Sequence, residues 1–376
     1  MNHDPASLLV CHPRAPLLDA IGRRCAEAGF RAAAVGGFVR DLLLGIISQD
    51  IDIVVEGDAI FCAKLLAARL GGAVVKTSRF GTAVVMVGGT RLDLAMARTE
   101  SYSRPGALPE VSPGTLADDL WRRDFTVNAI ALDIGPGYFG RLIDEVGGRK
   151  DLTARTIRIL HAGSFSDDPT RMLRAVRLAH RLRFSFADPT AARLREAVCN
   201  RNWLTVGSHR LGREVRLLFR ENDLPGLFRS LDRWGMFRPI FATVPTAAKL
   251  DALARIDEAV ASLALLGHRC DRTAVAALII GGRAGFWLQC ESGLETPDRL
   301  RAVSGALASP GAGDRLHVML ADIPPAMLAY LWIMCQNEEE RFRLQSALAG
   351  ISRPRPSMGG RASFDSLSSE PHKEDN

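Results

Sequence analysis

Two carboxylates two residues apart, Asp50 and Asp52, open the β-branched run DIDIVV (50–55). Strand alternation turns both to one side and Ile51 and Ile53 to the other. Carboxylates sharing one face of an apolar strand are costly without something positive to compensate them, and a divalent cation is the natural candidate. Magnesium takes oxygen ligands, usually one or two carboxylates with phosphates and water. Two such ions activate an attacking hydroxyl and stabilise a leaving pyrophosphate. Asp93, in the strand-like RLDLAMA (91–97), is the candidate third carboxylate. The expected centre is therefore Mg2+ on Asp50, Asp52 and Asp93; the competing reading is a D-x-D at a strand end with no catalytic part.

Three further clusters suit a phosphate-bearing substrate. In VGGFVRDLLLG (35–45) two glycines sit between a strand and a short helix that Gly45 can end in a left-handed conformation. Gly36 and Gly37 let backbone N–H groups approach phosphate oxygens near a helix N-terminus, and Arg40 can clamp a triphosphate. In WRRDFTVNA (121–129), Arg122 and Arg123 suit acids or phosphates, Asp124 a ribose hydroxyl, and Asn128 the ordering of the turn; the alternative is a surface salt-bridge cluster. In DDPTRMLRAVR (167–177), Asp168 can cap a helix that starts at Pro169, which puts Arg171 three residues on, in the same space. A carboxylate accepts from the exocyclic amino group that cytosine and adenine share, and a guanidinium donates to the neighbouring ring acceptor. Guanine and uracil present a carbonyl there instead. Such a pair selects C and A without a template; alone it also reads as a capping Asp in a local ion pair.

The elements that position these residues fall into two classes. β-Rich runs at 31–35, 50–55, 81–87, 91–97 and 129–134 alternate with helical patterns, which predicts an α/β domain with a mixed sheet. From Asp167 onward, Leu/Ala/Arg-rich stretches at 168–184, 190–200, 208–221, 248–266 and 326–347 predict a helical second half. The Ser/Pro/Gly-rich stretch 352–376 predicts a disordered tail. The chain carries +6 net, but Arg155 to Arg220 holds 14 arginines against 5 acids, so this segment carries +9 and the rest −3. A basic stripe of that kind meets phosphates, or is simply solvated. Seven cysteines with no C-x-x-C pair suggest neither a zinc site nor a disulfide framework. Apolar runs such as 324–335 are too short to span a membrane, and the start MNHDP is unlike a signal peptide, so the expected place is the cytoplasm with no membrane partner.

Together the motifs resemble the class II tRNA nucleotidyltransferase (CCA-adding enzyme) and bacterial poly(A) polymerase family, within the polymerase-β-like superfamily. Its G-G-x-V-R-D-x-L-L-G followed by D-x-D is matched by GGFVRDLLLG and DID, and FGTA (80–83), DDLWRRDFTVNA (118–129), LIDEVGGRKDL (142–152) and DDPTRMLRAVR follow in order. SHRLGREVRLL (208–218) matches more weakly, through Arg210 and Glu214. The resemblance implies an α/β nucleotidyltransferase head with a mixed five-stranded sheet over 1–153, and an all-α remainder. That remainder divides into a helical neck for base and RNA binding (154–222), a body and tail for tRNA (223–351) and the disordered end. It implies that Asp50, Asp52 and Asp93 bind metal; that Gly36, Gly37, Arg40, Arg123, Asp124, Asn128 and Arg174 hold the nucleotide; and that Asp168 and Arg171 read the base. An RNA 3′-hydroxyl would attack the α-phosphate of CTP or ATP and release pyrophosphate, with tRNA as partner; no oligomeric state is implied. The leading expectation is CCA addition, with A-only or CC-only addition or poly(A) synthesis as near alternatives. The segment 99–116, TESYSRPGALPEVSPGTL, is expected to be a mobile loop beside the site that helps switch the pocket between C and A. A non-catalytic RNA-binding module would not need three converging acids, and a small-molecule nucleotidyltransferase would lack the Asp168/Arg171 helix.

Overall fold

The computed structural model describes residues 5–48, 50–284, 297–309, 313–321 and 323–351; the tail expected from 352 and Cys290 lie outside them. Two compact units result, Met1–Asp257 with Asp271–Ser292, and Glu258–Cys270 with Gly293–Asn376.

The first unit begins with helices α1 (Pro5–Val10) and α2 (Ala15–Glu27), strand β1 (Arg31–Val35), helix α3 (Gly36–Leu43), strand β2 (Ile51–Glu56) and helix α4 (Ala59–Leu70). Strands β3 (Ala73–Ser78), β4 (Thr82–Val87) and β5 (Thr90–Met96) form a meander, and β6 (Arg98–Ser101) and β7 (Glu110–Pro113) a hairpin. After helix α5 (Leu116–Trp121) come β8 (Ala131–Asp133), β9 (Leu142–Ile143) and helix α6 (Gly148–Thr153). The sheet order is β3-β4-β5-β2-β1-β8-β9, with β2 and β5 parallel and every other pair antiparallel.

The sheet is mixed, as expected, but has seven strands rather than five. The extra β3 is an edge strand, largely exposed and carrying Lys76 and Ser78, so it lacks the alternation that betrays a half-buried strand. The extra β9 has two residues, too short for a periodic signal. Residues 99–116 are likewise not a simple loop: they contain the β6–β7 hairpin, whose tip is held where Gly106 N donates to Ser166 O at 3.1 Å.

Burial explains the centre of the sheet. Ile51, Ile53, Val54 and Val55 of β2 are all at most 1% exposed, which is the apolar side of the D-x-D strand and its continuation. Helices α2 and α4 cover the sheet with Leu18, Ile21, Cys25, Cys62, Ala63 and Leu66, all fully buried. Helix α2 lies so close that a Cβ on Gly22 would stand 1.7 Å from the carbonyl oxygen of Ile134. Gly22→Ala is therefore expected to lower stability by about 1–3 kcal/mol despite alanine's better helix propensity, because a backbone carbonyl cannot yield as a side chain can. A urea titration that finds the variant as stable as the parent would show that the contact relaxes freely.

The rest of the unit is helical, with α7 (Ser164–Asp167), α8 (Thr170–Leu182), α9 (Asp188–Cys199), α10 (Ser208–Leu218) and α11 (Leu224–Arg233), but not all-α as expected: Thr156–Ile157 and Ser185–Phe186 form a parallel pair of strands too short for a periodic signal. Asp168 accepts from the Thr170 N–H at 3.1 Å, so it caps α8 as expected, with Pro169 already in helical conformation. Edge-to-face contacts among Phe219, Phe228, Phe237 and Phe241 fill the core beyond α10. The long helical pattern at 248–266 is two helices, Ala247–Ala254 in this unit and Ile256–Leu265, most of which belongs to the second.

In the second unit the pattern at 326–347 also divides, into Pro325–Met334 and Glu338–Ala349, where Asn337 caps the later helix by accepting from Glu340 N at 2.9 Å. Its core includes Leu307, Leu320, Leu328, Leu331 and Leu344. Among the described residues no helix is long and apolar enough to cross a membrane.

Candidate active site

Three neighbouring strands bring the first constellation together. Antiparallel pairing sets Val35 opposite Asp52, and parallel pairing sets Asp52 opposite Asp93. Asp52 and Asp93, 41 positions apart in the chain, thus become lateral neighbours, and Gly36 follows immediately at the end of β1. Gly36 has φ +67°, and a Cβ there would lie 2.8 Å from Arg123 Nη1 and 3.3 Å from Asp52 Oδ2. The backbone conformation favours glycine at this turn, and a side chain would also displace the Arg123 guanidinium. Asp50 stands just before β2 and is exposed.

The electrostatics are those of an under-compensated acid. Burial pushes the Asp52 carboxyl up to about 6; Arg123 opposes this, while Asp93 and Asp50 add to it. Asp93 is held by Arg91 at 2.9 Å, an exposed pair that is weak in water. Among the described residues no three His, Cys, Asp or Glu side chains form a ready cage for a cation. The fit to magnesium rests instead on a pair of neighbouring carboxylates, one of them short of positive charge, which is the number this ion commonly takes from protein when phosphates and water complete its shell.

A cavity of about 410 Å³ opens beside these acids, lined among others by Gly36, Gly37, Asp52, Arg123, Asp168 and Arg171. A smaller recess of about 340 Å³ shares Asp52 and Arg123 and adds Asp93. The cavity wall is a buried ionic network. Asp119, fully buried on α5, accepts from Arg122 Nε at 2.9 Å and from Arg123 Nε and Nη2 at 3.1 and 2.8 Å. Arg122 reaches on to Glu100 at 3.0 Å, which Arg98 also holds at 2.7 Å and Tyr102 OH at 2.9 Å. Burial alone would raise the Glu100 carboxyl, but Arg122 and Arg98 outweigh it and keep it below its ordinary range.

A second chain of contacts crosses from the sheet to the helices. Arg40 donates to Asn128 Oδ1 at 2.6 Å, Asn128 Nδ2 to Asp124 at 2.9 Å, and Arg174 to Asp124 at 3.0 Å and to Glu214 at 3.4 Å. Burial raises the Asp124 carboxyl, yet Arg174, Asn128 and Arg171 together hold it below the usual carboxylate range. Arg40 is only 4% exposed, also pairs with Asp41 at 2.7 Å, and does not line the cavity. In this arrangement it holds Asn128, and its guanidinium stands beside Gly37, which lines the cavity.

Asp168 and Arg171 both reach the cavity, but they do not pair with each other. Asp168 Oδ1 accepts from Thr170 and from Arg210 at 2.9 Å, and Oδ2 has no hydrogen bond among the described residues. Arg171 donates to Ser164 Oγ and to the Arg122 carbonyl, each at 2.8 Å. Arg210 also donates to the carbonyls of Gly106 and Ala107 at 2.8 and 3.0 Å, so it ties the β6–β7 tip to the same place. Glu100, Tyr102 and Asp119 lie within the segments 99–116 and 118–129 but are not among the site residues expected from sequence. The i,i+3 and i,i+4 spacing of Asp119 to Arg122 and Arg123 within the second of these segments was the signal that could have found one of them.

Known proteins resemble this chain in sequence and fold. Residues 32–158 match the Poly A polymerase head domain. An A-adding tRNA nucleotidyltransferase of Aquifex aeolicus is 47% identical over 192 residues, 51% of this chain and 23% of that protein. One of Halalkalibacterium halodurans is 38% identical over 245 residues, 64% of this chain and 57% of that protein. The chain thus spans about a quarter to just over half the length of these curated relatives. A solved tRNA-processing enzyme superposes with TM-score 0.73 and 30% identity over 88% of this chain and 89% of its own. The matching head domain, the extended likeness to that enzyme and the order of motifs agree: the chain belongs to the tRNA nucleotidyltransferase and poly(A) polymerase family.

Proposed function

We propose that this protein is a template-independent nucleotidyltransferase that adds nucleotides from ATP or CTP to the 3′ end of tRNA, working in the cytoplasm. The observation that carries the reading is the lateral placement of Val35, Asp52 and Asp93 on three neighbouring strands, with Gly36 and Asp52 lining a cavity that also holds Asp168 and Arg171. Asp52 and Asp93, with Asp50 beside them, would hold Mg2+. Bound there, magnesium would supply Lewis-acid stabilisation of the charge that develops on phosphate and on the attacking and leaving oxygens. The chain's own side chains orient the reactants. The Gly36–Gly37 backbone and Arg123 receive the triphosphate, Asp124 and Arg174 face the ribose, and Asp168 Oδ2 accepts from the exocyclic amine while Arg171 donates to the ring acceptor.

That pair admits both C and A, so the choice between them lies elsewhere. Addition of the terminal A alone is favoured by the likeness to the A-adding relatives above, and by the tying of the β6–β7 tip to Arg210 next to Asp168. A tip so held suits one fixed pocket. Complete CCA addition is the second reading; it is favoured by the likeness to solved CCA-adding enzymes with ATP and with CTP, each 27% identical with TM-scores of 0.77 and 0.72. The test offers magnesium and each nucleoside triphosphate, singly and together, with tRNA lacking CCA, tRNA ending in CC and an unstructured oligonucleotide. One A on tRNA-CC and nothing on the shorter tRNA establishes A addition. Three additions ending in CCA establish the second reading, long A tails establish a poly(A) polymerase, and no incorporation at all refutes the proposal.

Arg171→Ala is expected to raise KM for ATP by about 10–100-fold and to narrow the preference for ATP over GTP, since a base contact of this kind is worth about 1–3 kcal/mol. Unchanged discrimination in steady-state kinetics would remove Arg171 from base reading.

A further inference from the structure

A cavity larger than the reaction site lies in the same unit, about 1290 Å³, formed by the C-terminal half of α8, the ends of α9 and α10, and the chain around α11. It is a separate place. Arg171 stands in the first turn of α8 and Arg183 at its end, twelve residues on, which is about 18 Å along the axis.

Its lining is basic, with six arginines against two carboxylates. Glu221 accounts for two of them, lying 3.4 Å from Arg177 and 4.0 Å from Arg181, and Asp223 faces His180 at 3.2 Å. Arg183, Arg220 and Arg233 are exposed and have no acidic partner among the described residues. Such convergence of unmatched cations on a concavity is unfavourable unless an anion enters. The remaining arginine, Arg195, lies over the ring of Trp234 at 5.3 Å, and Phe186 meets that ring edge-on at 5.1 Å. Arg183 adds a second anomaly. It occupies the left-handed position that ends α8, φ +56°, where glycine or asparagine would fit without strain.

We propose that this cavity binds a single-stranded stretch of RNA away from the reaction centre, with phosphates on Arg183, Arg220 and Arg233 and an unpaired base stacked on the Arg195–Trp234 pair. Free cations beside an aromatic platform are the combination that single strands use, because phosphate contacts give affinity and every base offers a face to stack. A duplex keeps its base faces covered and would leave Trp234 unused. The volume exceeds the roughly 300–1,000 Å³ of a pocket for one small molecule, which favours several linked nucleotides over a free one. The inference rests on the RNA-directed reading above, though the test below does not depend on transfer.

The test uses the full chain, a 5′-labelled six-nucleotide RNA closed by a 3′-phosphate so that it cannot be extended, and fluorescence anisotropy across a salt series. Arg220→Gln with Arg233→Gln should weaken binding about tenfold at 0.1 M salt. It should also flatten the plot of log Kd against log salt by about 1.4, for two phosphate contacts on a single strand. KM for ATP and kcat at saturating tRNA should stay at parental values. Arg183→Gly, which removes the cation and relaxes the backbone, should weaken RNA binding while leaving the melting temperature equal or higher. Parental affinity in both variants overturns the proposal, as does binding that ATP and magnesium abolish in the parent, since the oligonucleotide would then sit in the reaction cavity. A parent that binds the oligonucleotide here yet transfers nothing to tRNA would refute the enzyme reading and leave this one standing.

Discussion

Asp52→Asn is expected to lower kcat by about three orders of magnitude, leave RNA affinity unchanged and raise the melting temperature of the metal-free protein. The loss of rate follows from removing the carboxylate best placed to hold magnesium, since the charge stabilisation a metal supplies is several kcal/mol and each 1.4 kcal/mol is tenfold. The gain in stability follows from the same geometry. Burial, with Asp93 and Asp50 nearby, pushes the Asp52 carboxyl to about 6, so the folded protein holds its proton more tightly than the unfolded chain does. Asp52 thus stabilises the fold fully below about pH 4, and that contribution is lost as pH rises through about 6, by an order of 2–3 kcal/mol at most. The amide cannot ionise, so the variant should gain most on the parent above pH 6 and converge with it near pH 4. Melting curves with chelator across this range, beside single-turnover transfer with magnesium, measure both effects. A variant that transfers at more than a tenth of the parental rate would remove Asp52 from the chemistry, and one that melts lower than the parent at pH 7 would contradict the electrostatic account.

Asp119→Ala should be the most destabilising single change at the site, by about 3–5 kcal/mol, because it strands charged partners inside the protein. Asp119 is fully buried and is the acid that both Arg122 and Arg123 share. Arg122 keeps Glu100 when Asp119 is lost, but Arg123 keeps only a long contact to the Asn128 carbonyl at 3.4 Å. Arg123 would then swing from its place beside Gly36, and KM for the nucleotide should rise along with the loss of stability. Asp119→Asn retains the shape and one acceptor and should fall between parent and alanine variant. Urea unfolding of the three proteins decides the point; a loss below about 1 kcal/mol for the alanine variant would mean that water reaches the guanidinium groups and the network is not closed.

Several parts of this site needed nothing beyond local order in the chain. A glycine pair after RAAAV, the alternation of DIDIVV, and an aspartate before Pro169 each act over a few residues, so backbone sterics, strand period and helix capping determine them wherever the chain goes. The mixed α/β head and helical remainder were legible for the same reason, and the order of motifs carried the family. The strand count was not, because β3 is an exposed edge and β9 has two residues, and neither leaves a periodic trace.

What the tertiary structure decided is which of these groups meet and which partner each charge takes. The parallel register of β2 with β5 sets Asp93 beside Asp52, although nothing local fixes that pairing. Arg40 and Arg123 look alike in sequence, yet one is buried against Asp41 and Asn128 while the other lines the cavity. Arg210 joins a hairpin tip to Asp168 from more than forty residues beyond it. Arginine reaches far and accepts any nearby acid or carbonyl, so its partner is selected by burial and by distant strand and helix packing. The sequence by itself determined the kinds of chemistry available; long-range packing determined which side chains are spent on holding the fold and which are left facing the substrate.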